Sequence, residues 1–294
     1  MGYSANSDEI TRDYFDSLLI ETKYLDSTIP TTDISLYGAK FSTPVMTAAL
    51  SHLGNTVPNG MIIYAEGACK SNALHFVGMS SDEELEQIVA TGAKVVKIIK
   101  PHADNDVIFK KLEHASKIGC FAVGMDIDHS FSADGNYDNV MGFPMKAKSS
   151  TEIKEFISAT KLPFIIKGVL SPFEAEKCLA CGAAGIQVSH HHGMINYAVP
   201  PLMMLPDIIK AVGNEIPVFI DCGFESGCDV FKALALGAKG VSLGRHLMPF
   251  LKGGSDAVSA EINRITGELA GYMARTGIAG PDKMDPSVIH KRTF

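Results

Sequence analysis

Long apolar runs and basic runs are both missing from this chain of 294 residues, and cysteine is scarce. The 26 Lys and Arg are scattered among 33 Asp and Glu, for a formal net charge of -7. The electrostatic footprint of a nucleic-acid binder is therefore absent. No stretch approaches the roughly 18 apolar residues that span a bilayer, and the opening MGYSANSDEITRDYF is too polar for a signal peptide. A cytoplasmic protein with no membrane partner is expected. The six cysteines sit in apolar or helical surroundings, which suits packed, reduced thiols. Cys178 and Cys181 have redox spacing, but no second pair stands at zinc-ribbon distance and both fall in an expected helix. With 46% hydrophobic and 20% charged residues, the composition is that of a folded chain with a large core.

What is present is a repeated alternation. Eight short apolar runs (44–49, 73–78, 93–99, 121–128, 163–168, 185–189, 217–223 and 240–245) are separated by amphipathic stretches. Runs of this kind read as parallel strands covered by helices on their outer face. Ser81, with Glu84 three residues on, reads as a helix N-cap. The Gly-Ala pairs at Gly92, Gly182 and Gly237 fall where a helix would end in a left-handed glycine. Eight β/α units predict a single-domain TIM (β/α)8 barrel, a fold that commonly takes about 250 residues. The barrel is assigned to 41–294, with a closing helix over 256–275. The polar connection 129–150 is long enough to be a functional lid. Residues 1–40 are expected to cover the barrel bottom or wrap a neighbour.

Catalytic groups in such barrels stand at the carboxyl ends of the strands. The polar residues collected there are Lys97 and Lys100, then Asp126, Asp128 and His129, then Lys167. Ser189 opens the run His190-His191-His192, and Asp221-Cys222-Gly223 and Gly244-Arg245 follow. Isolated buried charge is costly, so Asp126 or Asp128 should pair with Lys167 or a histidine. Neighbouring residues leave a strand in alternate directions, so the three histidines do not by themselves make a metal site, and no metal is expected. His52, His75, His102, His114 and His290 are assigned to packing or surface. The glycines at 221–227 and 244–245, with Arg245, lie where barrels cradle a phosphoryl group.

The segment 217–238, continued by Leu243-Gly244-Arg245, closely resembles the C-terminal half of glycolate oxidase and its relatives. Further matches occur at 166–175, 185–191, 125–128 and 44–49, so the likeness to the FMN-dependent 2-hydroxy-acid oxidase/dehydrogenase family, which includes lactate oxidase, runs from about residue 15 on. The resemblance implies FMN as cofactor and a small-molecule substrate. It implies that Lys167 stands by the flavin N1 and O2, and that Asp221, Cys222, Gly223, Gly244 and Arg245 form the ribityl and phosphate site. It further implies that Ala48, Ala49 and Ser189 line the flavin. Lys97 takes the place of a glutamine near the ring and Asp126 that of a threonine. His191 matches the catalytic base, with His192 the next candidate, and Asp128 matches its carboxylate partner. Relatives are often tetramers, which implies a homo-oligomer. The departures are Met194 where the family has a substrate-binding arginine, Pro101 for a substrate-binding tyrosine, and Glu225 for the second arginine of the phosphate motif.

Two other readings stand beside oxidation of a 2-hydroxy acid. One is a cofactor-free or metal-assisted lyase or isomerase built on Lys97, Asp126, Asp128, Lys167 and the histidines. The other is a flavin-binding barrel that has lost the reaction.

Overall fold

In a computed structural model that describes residues 5–293, the apolar runs form eight strands. They are β1 (Val45–Leu50), β2 (His75–Val77), β3 (Val95–Ile99), β4 (Ala122–Asp126), β5 (Phe164–Val169), β6 (Gly185–Val188), β7 (Val218–Ile220) and β8 (Gly240–Leu243). Each pairs in parallel with its neighbours, and β8 returns to β1 to close the barrel. Helices α1 (Gly60–Lys70), α2 (Asp82–Ala90), α3 (Asn105–Lys117), α4 (Ser150–Ser158), α5 (Pro172–Ala180), α6 (Pro201–Val212), α7 (Gly227–Ala235) and α8 (Gly254–Arg275) cover the outside. Serines start several of them. Ser81 Oγ accepts from the Glu84 amide, and Ser149 forms a reciprocal capping box with Glu152. Gly92, Gly182 and Gly237 end their helices at φ +84°, +88° and +107°, a conformation that costs glycine little.

The strands alternate between two cores. Met46, Phe76, Val96, Ile98, Ala122, Ile165 and Phe219 fill the barrel, whereas Val45, Val95, Ile99, Val123, Ile166, Val188 and Val241 pack under the helices. A period of two therefore fixes which polar residues look inward at the carboxyl ends. Asp126 continues the row of Ala122, and Lys167 that of Ile165. Lys97 belongs to the row of Val95 and Ile99 and faces away from the barrel axis.

Two N-terminal pieces sit at opposite ends. A hairpin of Ile34–Leu36 and Ala39–Phe41 closes the bottom, with Phe41 edge-on to Phe121 and Tyr37 Oη donating to Ala184 O at 2.9 Å. The helix Ala5–Asp16 lies instead on the mouth, against the expectation that residues 1–40 cover the bottom or wrap a neighbour. It is held by Thr11 to His190 (2.9 Å), Arg12 to Asp229 (3.0 Å) and Lys232 to Phe15 O (2.7 Å). Gly193, at φ +68°, lets it come close: a Cβ there would meet Ser7 Cβ at 2.6 Å.

The connection after β4 has structure of its own. A 3-10 turn over Asp128–Ser130 leads to a small hairpin, Asn139–Val140 with Phe143–Pro144, whose turn residues Met141 and Gly142 both have positive φ. It docks on the segment after β3 through Ala103 N to Pro144 O (2.8 Å) and Lys146 N to Pro101 O (2.9 Å). Cys178 and Cys181 are buried free thiols at the end of α5, and burial pushes Cys178 up to about 12.

Candidate active site

The inward rows of β4, β5, β6 and β7 bring charge to the mouth. Asp126 and Lys167 are buried, and Lys167 Nζ lies 3.7 Å from Asp126 and 3.6 Å from Asp221. Lys167 also donates to Ser189 Oγ at 3.1 Å. Burial alone would discharge this lysine, but Asp126, Asp221 and Asp128 outweigh it and raise its pKa. Lys100, one position beyond β3 on the inward row, reaches Asp126 Oδ2 at 2.7 Å. Burial opposes the Asp126 charge, yet Lys167, Lys100 and His191 hold its pKa well below the usual carboxylate range.

His191 stands over this pair. Its Nδ1 lies 3.0 Å from Asp128 Oδ1, 3.3 Å from Lys167 Nζ and 3.4 Å from Asp126 Oδ1. Burial and Lys167 favour the neutral ring, but Asp126 and Asp128 prevail and its pKa is raised. Asp128, unlike Asp126, is pushed up, to about 6, by burial and by Asp126. The chain reaches this geometry through consecutive left-handed residues, His191 at φ +45° and His192 at φ +66°, before Gly193. Such conformations are costly outside glycine and cluster at functional sites.

The three histidines part company in this turn. His190 bonds Thr11, His191 meets Asp128, and His192 Nδ1 bonds Arg245 and lies 3.2 Å from Asp8. His191 Nε2, the atom left free by Asp128, faces His129 Nε2 at 2.9 Å. Burial, Lys100 and His191 lower His129 to about 4, so its ring is neutral, and its Nδ1 is 3.3 Å from Asp138 Oδ2. Asp126, Asp128, His129 and His191 have ligand atoms within 4.8 Å of one another, but Lys100 and Lys167 already bring two ammonium groups against Asp126. The positive charge of this cluster is supplied by lysine.

Beside it a cleft of about 700 Å³ is lined by Ala48, Ala49, Lys167, His191, Asp221, Cys222, Gly223, Gly244 and Arg245. Asp126 and Ser189 border it through Lys167. Lys97 is the exception among the expected cofactor contacts: its Nζ donates to Gly78 O and Ser80 Oγ outside the barrel, because β3 puts Val96 and Ile98 inward. The lysine that the same register aims at the mouth is Lys100. His129 is the other contributor to the cluster without an assigned role in the sequence; its partner lies 62 residues away.

A model for FMN-dependent dehydrogenases matches residues 4–151 and 145–291 of this chain. The chain belongs to that family. It is 28% identical over 294 residues to a peroxisomal (S)-2-hydroxyacid oxidase of Arabidopsis thaliana, covering 88% of this chain and 80% of the relative. An L-lactate oxidase of a Roseobacter strain is 36% identical over 155 residues, 52% of this chain and 41% of that protein. Solved structures of a mandelate oxidase superpose with a TM-score of 0.89 at 24% identity, covering 100% of this chain and 94% of theirs.

The residues present fit the family's FMN. Lys167 and Arg245 give cleft and rim a cationic lining for an anionic cofactor. Ser242 Oγ, in the cleft wall, and Gln187 Oε1, beside Asp221, are buried without a hydrogen-bond partner, and buried polar atoms in that state call for one. Gly244 keeps the wall thin, since a Cβ there would stand 3.3 Å from Ala48 Cβ. Glu225, in the phosphate motif, lines the cleft as well, but it is exposed, so water screens its charge.

Proposed function

We propose that this member of the family oxidises a small 2-hydroxy acid to the 2-oxo acid, with His191 as base. The observation that carries the reading is the 3.0 Å contact of His191 Nδ1 with Asp128 in the wall of a cleft suited to FMN. Asp128 fixes the tautomer with hydrogen on Nδ1, which leaves the Nε2 lone pair to take the substrate hydroxyl proton. The same carboxylate stabilises the imidazolium that results. Bound FMN would supply the acceptor for the hydride equivalent from C2. Lys167, kept cationic by three carboxylates, would hold negative charge on the cofactor side, with Asp221, Gly223, Gly244 and Arg245 holding the ribityl phosphate. Met194 contributes no charge, and we assign the substrate carboxylate to Lys100, which lies outside the cleft lining but reaches its wall through Asp126 at 2.7 Å. A lone ammonium orients a carboxylate less tightly than a guanidinium fork, which favours a higher KM than an arginine would give.

The test is spectroscopic. Purified protein with FMN should show flavin bands, and a panel of 2-hydroxy acids under anaerobic conditions should bleach them. His191→Ala should keep the bands and lose the bleaching; undiminished bleaching would remove His191 as base. We extend the reading to a homo-oligomer, supported by the exposed Leu25 and Ile29 between the N-terminal helix and the bottom hairpin. Light scattering of the purified protein checks it. No described helix is long and apolar enough to cross a membrane.

A further inference from the structure

A second cavity, of about 930 Å³, opens beside the carboxyl ends of β2 and β3, under the small hairpin of the β4–α4 connection. Its lining is lopsided in charge. Lys97, Lys111, His52 and His102 all face it, Lys100 forms part of its wall, and no carboxylate lines it. Lys97 is buried, yet its Nζ is bonded only to the neutral acceptors Gly78 O and Ser80 Oγ. Lys111 makes no ion pair among the described residues. The nearby carboxylates are engaged elsewhere or face water: Asp82 is 3.7 Å from His114, and Glu84 lies in the first turn of α2. The start of α2, with Ser80 and Ser81 in the cavity wall, adds the positive end of a helix dipole. The remaining wall is apolar: Met79, Ile98, Ile99, Val107, Met141 and Phe143.

We propose that this cavity binds an anionic group, a carboxylate or phosphoryl, carried on a small apolar or aromatic body. Buried cations are normally paired, and a cluster that repels itself is stabilised by a counter-ion. Burial and this repulsion act in the same direction. Burial and Lys111 lower Lys97 to about 7, and burial with Lys111, Lys148, Lys100 and Lys97 lowers His102 to about 4. The site is separate from the flavin cleft, since the two share no lining residue. They are connected through Lys100, whose ammonium is 2.7 Å from Asp126. An anion here would therefore compete with Asp126 for Lys100.

Calorimetric titration of the FMN-loaded protein with phenyl phosphate at low salt tests this, because the loaded cofactor removes the other phosphate site from competition. Saturable binding is expected, weakened by about tenfold or more in Lys111→Gln, the loss of one charge-assisted contact. Lys111 is a half-buried helix residue without a partner, so this variant should fold; Lys97→Met is the harsher second test. No saturable binding, or equal affinity in Lys111→Gln, overturns the proposal. The source of the anion is read from displacement. If malate, a hydroxy acid with a second carboxylate, displaces phenyl phosphate, the cavity takes the far end of the substrate. If it does not, the cavity takes a separate small anion.

Discussion

At the scale of single residues, the chemistry depends on how two neighbours divide the nitrogens of one imidazole. Asp128 holds Nδ1 of His191, and Asp126 and Asp128 together raise its pKa against burial and Lys167, so the free enzyme must lose a proton at a pH above that of ordinary histidine before Nε2 is a base. The kcat/KM profile should accordingly rise with pH through a value above the usual 6.5 or so. Asp128→Asn removes one of the two carboxylates that raise it. The limb should move to lower pH while kcat falls about 10²–10⁴-fold, as the imidazolium loses its counter-charge. A limb that stays in place would show that Asp128 does not set it. His129 acts on the other nitrogen. Neutral, and with Nδ1 beside Asp138, it accepts from protonated His191 at 2.9 Å and favours the resting cation. His129→Ala should also shift the limb to lower pH, but with kcat retained and KM lowered, because substrate no longer displaces a ring from Nε2. A collapse of kcat in that variant would instead make His129 part of proton transfer. The residue types in this cluster were legible from the sequence, because polar groups ending apolar runs are few. Which lysine faces the barrel was not legible from the run alone. Lys97 and Lys100 differ by three positions, and only the register of β3 against Val96 and Ile98 decides between them.

At the scale of elements, the N-terminal helix was the hardest piece to place. The packing that seats it on the mouth sets Ser7, Thr11 and Arg12 against Gly193, His190 and Asp229, far along the chain. Its position on the mouth has a chemical consequence. Asp8 lies 2.9 Å from Arg245 and 3.2 Å from His192, so a carboxylate of this helix occupies the guanidinium assigned to the FMN phosphate. A phosphate dianion must compete with it. Exposed pairs of this kind are worth about 0.2–1 kcal/mol, so Asp8→Asn should tighten FMN binding by about 1.4- to fivefold. Fluorescence titration of FMN into the cofactor-free protein measures this, and weaker binding in the variant would mean that Asp8 supports the site rather than blocking it. The connection over 129–150 was read as a lid from its length and polarity. It carries a hairpin and the stacked pair Phe131 and Tyr137, with ring centroids 5.5 Å apart, that its composition did not announce.

At the scale of the molecule, the barrel was legible because eight buried strands leave eight apolar runs, and because glycine ends the helices that precede β3, β6 and β8. The same architecture makes cofactor binding a global event. The cleft draws residues from β1, β5, the β6–α6 turn and the loops after β7 and β8, while the N-terminal helix ties the β6–α6 turn to α7 through Thr11 and Arg12. A ligand that binds only the folded chain stabilises it by RT ln(1 + [L]/Kd), about 2.7 kcal/mol at a hundredfold excess over Kd. For a chain of this size that raises Tm by about 5–10 °C. FMN at that excess should produce such a shift in differential scanning calorimetry, and Arg245→Ala should lose most of it at the same FMN concentration because its Kd is higher. Lys167→Met should behave differently. Removing the ammonium leaves Asp126 and Asp221 buried and close to each other's charge, at a cost of about 3–5 kcal/mol before any cofactor is added. Its cofactor-free Tm should therefore drop, whereas that of Arg245→Ala, whose guanidinium is at the exposed rim, should not. Equal cofactor-free Tm values for the two variants would mean that the Lys167 cluster contributes to catalysis without holding the mouth of the barrel together.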